Sequence, residues 1–235
     1  MAKAPLAGSV KTRLVPPLTA SEAANLHICF LRDMATNISN VTSDGHSDGF
    51  VVYTPAGAEA AFDAILPDAF KLLAQRGASL GDRLCNATDD LLKNGYHSVC
   101  LINSDSPTLP RFILDRAIES LAQHGDRVVL GAADDGGYYL IGLKQAHRNL
   151  FERIAWSTAD VLAHTIERAG EISLSVELLP NWYDVDDAAT LNRLCEELLT
   201  TPQRDGAYIA PHTTHFLAKL TANERFQHLK LASRP

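Results

Sequence analysis

The sequence has little of what several functional classes depend on. Its four cysteines are scattered along 235 residues without a Cys-X-X-Cys pair, which argues against a zinc ribbon or a dithiol redox centre. No apolar run approaches the roughly 20 residues of a membrane-spanning helix, and the N-terminal segment lacks the apolar core of a secretory signal. Basic residues are in the minority, and a net charge of −7 argues against nucleic acid as the main partner.

The remaining composition is typical of a globular protein. Hydrophobic residues make up 46% and charged residues 21% of the chain, and the length suits one α/β domain. We therefore predict a single domain over residues 1–235, in which residues 200–235 form a polar, partly helical C-terminal tail. Scattered cysteines without a secretory signal predict reduced thiols and a cytoplasmic location.

Short apolar runs alternate with amphipathic segments along almost 200 residues. This alternation predicts a three-layer α/β/α fold with a mostly parallel central sheet. The predicted strands are 49–54, 70–74, 97–102, 127–130, 138–143 and 174–179. The predicted helices are 19–39, 58–66, 80–92, 110–123, 158–169 and 188–199. In such folds a buried strand usually precedes the first ligand-binding loop, and here that first strand is expected to be missing or truncated.

Cations gather in the first fourteen residues of this acidic chain. The segment contains Lys3, Gly8, Lys11, Thr12 and Arg13. Glycine lets a backbone come close to a ligand, and lysine and arginine neutralise phosphate oxygens, so the segment predicts a phosphate-binding loop. The alternative is a solvated basic terminus. The spacing is neither that of a Walker loop nor that of a dinucleotide fingerprint.

Asp105 directly follows a predicted buried strand. Ligands of parallel sheets bind beyond the carboxyl ends of the strands, and a carboxylate there suits Mg²⁺ or Mn²⁺. A helix cap or an Asx turn would account for the same residue. Alone, Asp105 does not decide between these alternatives.

A second polar cluster follows the predicted strand 127–130. It consists of Asp134, Asp135, Gly136, Gly137 and Tyr138. Paired acids before two glycines are typical of a hairpin turn. The same residues, with their carboxylates and an aromatic hydroxyl, also suit a pocket for a sugar or another polyol. Further along the chain, Trp156 either anchors a helix or stacks on a ligand ring.

Three acids, Asp184, Asp186 and Asp187, precede the last predicted helix of the sheet region. One can cap the helix, since a carboxylate is stabilised at that end. Capping does not need all three, so another is available for a metal ion. A divalent cation between carboxylates and a nucleotide diphosphate would use both these acids and the basic loop.

These segments together resemble a bacterial family of glycosyltransferases with the GT-A, nucleotide-diphospho-sugar transferase fold, also described as radical-SAM/selenodomain-associated transferases. The resemblance covers nearly the whole chain in order. It rests on the stretches 2–14, 80–84, 104–110, 135–142, 156–158, 184–186 and 211–213. It implies a three-layer, Rossmann-like fold.

The resemblance also implies roles for particular residues. It places Lys3, Gly8, Lys11 and Arg13 at the nucleotide phosphates. It puts Asp105 in the position of the family's metal-binding Asp-X-Asp motif. That motif is incomplete, because Ser104 and Ser106 flank the single acid, and we predict Asp186 as the second metal ligand. Asp135, with Gly136 and Gly137, would then face the sugar or the acceptor and act as a catalytic group.

The implied function is metal-dependent transfer of a glycosyl group from a nucleotide-sugar to a small-molecule acceptor, with Mg²⁺ or Mn²⁺ as cofactor. An alternative is a guanylyltransferase-like nucleotidyltransferase that uses an NTP and a phosphorylated small molecule. Residues 10–14 resemble the phosphate loop of 2-phospholactate guanylyltransferases, and residues 104–107 resemble the metal site of molybdenum cofactor guanylyltransferases. A third possibility is a non-catalytic module that binds a nucleotide.

Overall fold

The computed structural model describes residues 1–42, 47–200 and 206–226. Most of the predicted turn 42–48 and parts of the predicted tail therefore lie outside the described residues. The strands are β1 (Ala2–Lys3), β2 (Phe50–Thr54), β3 (Lys71–Ala74), β4 (Val99–Ile102), β5 (Arg127–Ala133), β6 (Tyr138–Leu143) and β7 (Ser175–Trp182). The α-helices are α1 (Ala20–Thr42), α2 (Leu80–Lys93), α3 (Arg111–Ala122), α4 (Val161–Glu171), α5 (Ala188–Leu199) and α6 (Pro211–Thr221). Short 3₁₀ helices cover Thr12–Leu14, Glu59–Ala61, Arg148–Phe151 and Glu224–Phe226.

The strands form a parallel sheet and a mixed sheet. The first has the order β1-β2-β3 and is parallel throughout. The second has the order β4-β6-β5-β7, in which β6 runs antiparallel to both its neighbours and β5 is parallel to β7. The two sheets are linked where the Met1 nitrogen donates a hydrogen bond of 2.7 Å to the Ile102 carbonyl oxygen. Strands β5 and β6 pair antiparallel because a connection as short as residues 134–137 can only join a hairpin.

Strand β1 is only two residues long. Ala2 pairs with Tyr53 and Lys3 with Thr54, and the next residue, Ala4, donates its N–H to the Thr54 carbonyl at 2.8 Å. The first strand, expected to be missing or truncated, is thus present as a minimal strand. It places the basic segment directly beyond the carboxyl end of β2.

Helices cover both faces of the mixed sheet, as the three-layer prediction requires. Alternate residues of a strand face opposite sides. Accordingly, Val129 of β5 packs with apolar residues of α1, α3, α5 and α6, whereas Val128 and Leu130 pack with residues of α2 and α4. A capping box precedes α1: the Thr19 N–H donates to a Glu22 carboxylate oxygen at 2.7 Å, and the Glu22 N–H donates to the Thr19 hydroxyl at 3.2 Å.

Helix α6 is held by a carboxylate of α1. Asp33 is fully buried, and its two oxygens accept the backbone N–H groups of His212 and Thr213 at 3.0 and 2.7 Å. Burial raises the pKa of Asp33, although these hydrogen bonds favour its charged form. The part of the predicted tail that the structure describes is therefore anchored to the first helix of the fold.

Candidate active site

The turn after β4 does not use Asp105 as a helix cap. Asn103 makes the Asx turn, because its side-chain oxygen accepts the Asp105 N–H at 3.3 Å and the Ser106 hydroxyl at 3.1 Å. Helix α3 begins after Pro110, which makes no side-chain cap bond. The Asp105 carboxylate is therefore available to other groups. Its side chain is 28% exposed.

The basic segment brings Lys11 to this carboxylate. Lys11 has a left-handed backbone conformation (φ 49°) just before a 3₁₀ turn, and its side chain is only 5% exposed. The ammonium lies 2.6 Å from an Asp105 oxygen and 3.0 Å from an Asp186 oxygen, and it donates to the Val185 carbonyl at 2.8 Å. Arg13 donates to the other Asp186 oxygen at 2.7 Å. Two of the predicted phosphate-binding cations thus contact the two predicted metal ligands directly.

The environment of Asp105 favours its ionised form. Burial alone would raise its pKa, but the nearby charge of Lys11 and hydrogen bonds from Lys11 and Ser104 together lower it. His27 is a buried residue of α1 that the sequence did not single out. One ring nitrogen lies 3.2 Å from the Lys3 carbonyl oxygen and the other 3.9 Å from an Asp105 oxygen. Burial lowers the pKa of His27, so its neutral form is favoured.

The three acids after β7 have different surroundings. Asp187 caps α5 by accepting the Thr190 N–H at 2.9 Å, which confirms that one of the three acids caps this helix. Asp186 binds the two cations described above. Asp184 carries a pKa raised to about 7, first because it is buried and then because Asp135, Asp186 and Asp105 repel its charge. The sequence named Asp184 among these three acids but selected Asp186 as the metal ligand; it could not show the crowding of Asp184, which involves acids from two other loops.

Two cavities meet at this cluster. The basic-loop cavity, of about 330 Å³, is lined by Lys3, Lys11, Thr12 and Arg13, with Asp105 and Asp186 opposite them. The aromatic cavity, of about 540 Å³, is lined by Asp135, Gly137, Tyr138 and Trp156 together with Asp184 and Asp186. Arg13 and Asp186 line both cavities, so the two spaces adjoin at this ion pair.

The structure places three predicted site residues away from these cavity linings. Gly8 is an exposed turn residue with φ 77°. Asp134 is exposed and pairs with Arg193 at 2.7 Å on the outer side of the hairpin. Gly136 packs against the loop before α4, where an added Cβ would lie 2.1 Å from the Ala159 carbonyl oxygen. Gly136 thereby sets the shape of the hairpin turn next to Trp156.

The Trp156 loop differs from the predicted start of the following helix. Helix α4 begins at Val161 and not at residue 158, because the residues before it form turns in which Ser157 has φ 66°. Trp156 makes an edge-to-face contact with Tyr138, with ring centroids 6.5 Å apart. Its indole also lies against Gly81 of α2, where an added Cβ would be 3.0 Å from the indole nitrogen. The loop fixes the indole at the cavity wall.

The arrangement around Lys11 indicates how a divalent cation would fit. Within the described ranges, no group of three or more His, Cys, Asp and Glu side chains is arranged to hold a metal ion. Asp105 and Asp186 nevertheless direct one oxygen each at the same cation, the Lys11 ammonium. Mg²⁺ commonly takes one or two carboxylates and completes its shell with substrate phosphates and water, so this pair fits such an ion.

A third cavity, of about 420 Å³ and mostly apolar, lies between β2 and β4. None of the predicted site residues lines it.

In the part of the chain that the structure describes, we find no helix with the length and apolar character needed to cross a bilayer.

Known proteins resemble this chain in sequence and in fold. The model of the family described as "Uncharacterized protein conserved in bacteria (DUF2064)" matches residues 37–158. The chain belongs to this family. Its fold is also similar to the crystal structure of a "putative nucleotide-diphospho-sugar transferase" from Desulfovibrio desulfuricans G20, with 31% identity and a TM-score of 0.83. The match covers 97% of this chain and 95% of the other. No curated protein matches the chain.

The similarity confirms the predicted α/β fold of the nucleotide-diphospho-sugar transferase type. The family is defined by sequence and its description names no reaction. The chemistry of this DUF2064 protein therefore has to be argued from its own residues.

Proposed function

We propose that this protein is a glycosyltransferase that moves a sugar from a nucleotide-sugar to a hydroxyl group of a small-molecule acceptor. The observation that carries the proposal is the junction of the two cavities at Arg13 and Asp186. One cavity carries the cations that a diphosphate needs, and the other carries carboxylates and aromatic rings. A transferase requires such adjoining sites, because donor and acceptor must react within one enclosed space. The similarity to a nucleotide-diphospho-sugar transferase supports the same conclusion.

The basic-loop cavity is suited to the donor diphosphate. Lys3, Lys11 and Arg13 line it, and negative charge that develops on the leaving diphosphate is stabilised by fixed cations. Lys11 and Arg13 are bound to carboxylates in the free protein, so a diphosphate would compete for them. Asp105 and Asp186 would hold Mg²⁺ or Mn²⁺, which would supply further neutralising charge to the diphosphate.

We assign Asp135 the role of the group that acts on the acceptor. One of its oxygens accepts the Gly137 N–H at 2.9 Å, which fixes the carboxylate at the aromatic cavity. In the proposed reaction the acceptor oxygen bonds to the anomeric carbon, and the bond from that carbon to the diphosphate oxygen breaks. Asp135 takes the proton of the acceptor hydroxyl, and the nucleoside diphosphate leaves with the bonding electrons. Glycosylated acceptor and nucleoside diphosphate are the products.

The test begins with binding. Thermal shift and isothermal titration with a panel of nucleotides and nucleotide-sugars, with and without Mn²⁺, should show stabilisation by at least one of them. Asp105→Asn should lower that affinity at least tenfold in the presence of Mn²⁺. Asp89→Asn is the matched control, because Asp89 pairs with Lys93 on the exposed face of α2. If no nucleotide or nucleotide-sugar binds, the proposal fails.

Product analysis separates the alternatives. Glycosyl transfer releases a nucleoside diphosphate from a nucleotide-sugar. Nucleotidyl transfer releases pyrophosphate from an NTP. Detection of pyrophosphate would contradict the proposal and favour the nucleotidyltransferase alternative. If a nucleotide-sugar binds tightly but is neither transferred nor hydrolysed, the protein is better described as a nucleotide-binding module.

A further inference from the structure

The wall of the aromatic cavity is mostly apolar. Leu80 and Leu84 lie one turn apart on α2, and Trp156 and Tyr138 continue the same lining. Leu80 is 46% exposed, so its apolar side chain is accessible to a ligand in the cavity. Apolar and aromatic walls with a few polar groups are typical of small-molecule sites, and 540 Å³ is within their usual size range.

The opposite side of the same cavity is acidic. Asp135, Asp184 and Asp186 line it, and Arg13 is the one side-chain cation among the described residues of the lining. The Arg13 guanidinium is already paired with Asp186 at 2.7 Å. Asp135 therefore has no cationic side chain in the lining to neutralise it. An anionic group that entered the cavity would meet repulsion in partly desolvated surroundings.

The two sides together define a kind of acceptor. We propose that the aromatic cavity takes a neutral or positively charged hydroxyl compound whose apolar or aromatic body packs on Trp156 and Leu80. This inference rests on the proposed function, for which it names the acceptor class. Phosphorylated and carboxylated acceptors are disfavoured by the charge of Asp135. The donor remains in the basic-loop cavity, where its negative charge meets Lys3 and Lys11.

The experiment uses three probes of the same shape and different charge. Tyramine is cationic, tyrosol is neutral and 4-hydroxyphenylacetate is anionic, and all carry the same phenol ring on a two-carbon chain. Their binding to the full-length protein is measured by titration calorimetry at low ionic strength. We expect tyramine and tyrosol to bind at least tenfold more tightly than 4-hydroxyphenylacetate. Equal or tighter binding of the anion, or no binding of any probe, would overturn the proposal.

Variants locate the binding and separate it from the donor site. Trp156→Ala should weaken tyramine and tyrosol at least fivefold, with Trp156→Phe as a milder second variant. Asp135→Asn should reduce the preference for tyramine over 4-hydroxyphenylacetate at least threefold. If Trp156→Ala leaves probe binding unchanged, the assignment of the cavity is wrong.

Nucleotide binding is measured in parallel in the unmodified protein and in each variant. Trp156 is absent from the basic-loop cavity lining, so Trp156→Ala should retain nucleotide affinity within about twofold. If nucleotides bind but the three probes do not show the expected order of affinities, only the proposed acceptor class is rejected. If the unmodified protein binds no nucleotide, the proposed function itself is rejected.

Discussion

The ammonium of Lys11 lies 2.6 Å from a carboxylate oxygen of Asp105 and is almost completely buried beside it. A second carboxylate, Asp186, shares the same ammonium although it is 175 positions away in the chain. The free protein therefore holds a lysine at a point where two acids converge. Removing or displacing that lysine should change both the stability and the cation affinity of the site.

Lys11→Met tests this relationship. The variant leaves two partly buried carboxylates without their shared partner, so we expect the free energy of unfolding in EDTA to fall by about 1–3 kcal/mol. Added Mn²⁺ should then raise the melting temperature of Lys11→Met more than that of the unmodified protein, because no ammonium competes for the carboxylates. Urea unfolding and thermal shift measure the two effects. Lys93→Met, which removes an exposed i,i+4 pair, is the control and should change stability by less than about 0.5 kcal/mol.

Asp184 should make the stability of the metal-free protein depend on pH. Its pKa is raised to about 7 from 3.8, so between these values the folded state holds a proton that the unfolded chain releases. This contribution to stability is present below pH 4 and is lost as the pH rises through 7. Asp184→Asn should therefore stabilise the protein at pH 8 by about 1–2 kcal/mol more than at pH 5, after allowance for solvent screening. Equal effects of the variant at the two pH values would contradict this account. Asp115→Asn, at an exposed acid of α3, is the control.

Local sequence signals predicted several elements closely. Helix α5 has the predicted bounds, 188–199, because Asp187 and Thr190 form a capping box and the apolar spacing continues to Leu199. The predicted helix 58–66 was wrong in extent and type, since it contains a 3₁₀ turn at Glu59–Ala61 followed by further turns. The segment from Ala58 onwards has helix-forming alanines but no cap bond, and tertiary packing limits it to single turns.

The candidate site depended on contacts between distant segments. The sequence predicted that the basic loop and the acids at Asp105 and Asp186 would work together, and the structure brings them into contact. It did not predict that Lys11 would itself bind both carboxylates in the free protein. Nor could it identify His27, which lies within the apolar stripe of α1 and reaches Asp105 only through the packing of that helix against the strand ends. Such contacts depend on tertiary register, which helical periodicity does not encode.

The Asp33 cap of α6 should not tolerate an amide. Both of its oxygens accept backbone N–H groups, whereas asparagine offers one oxygen and would turn its own N–H groups towards the second donor. We expect Asp33→Asn to lower the free energy of unfolding by about 1–3 kcal/mol. Asp160→Asn is a matched control, because Asp160 stands before α4 without a side-chain cap bond. If Asp33→Asn and Asp160→Asn lower the free energy of unfolding equally, the two hydrogen bonds to Asp33 contribute little to stability.

Gly136 should be required by the hairpin beside the aromatic cavity. It has φ 89°, and a Cβ there would lie 2.1 Å from the Ala159 carbonyl oxygen. Gly136→Ala should destabilise the protein by about 2–4 kcal/mol through backbone strain and overlap. Gly170→Ala should instead stabilise it by about 0.5–1 kcal/mol, because Gly170 lies in α4 with open space around its α-carbon. Chemical denaturation of the two variants measures both effects, and a stable Gly136→Ala would disprove the close approach.

The left-handed conformation of Ser157 has a consequence for the entropy of binding. A non-glycine residue at φ 66° is held there by the surrounding turns, so the neighbouring Trp156 indole is already in position before a ligand arrives. Little ordering is then left for the binding step, and association with the cavity should carry only a small unfavourable conformational entropy. Ser157→Gly would keep the Trp156 and Tyr138 rings that line the cavity and still weaken binding. Calorimetry would record that loss as entropy, with the enthalpy nearly unchanged.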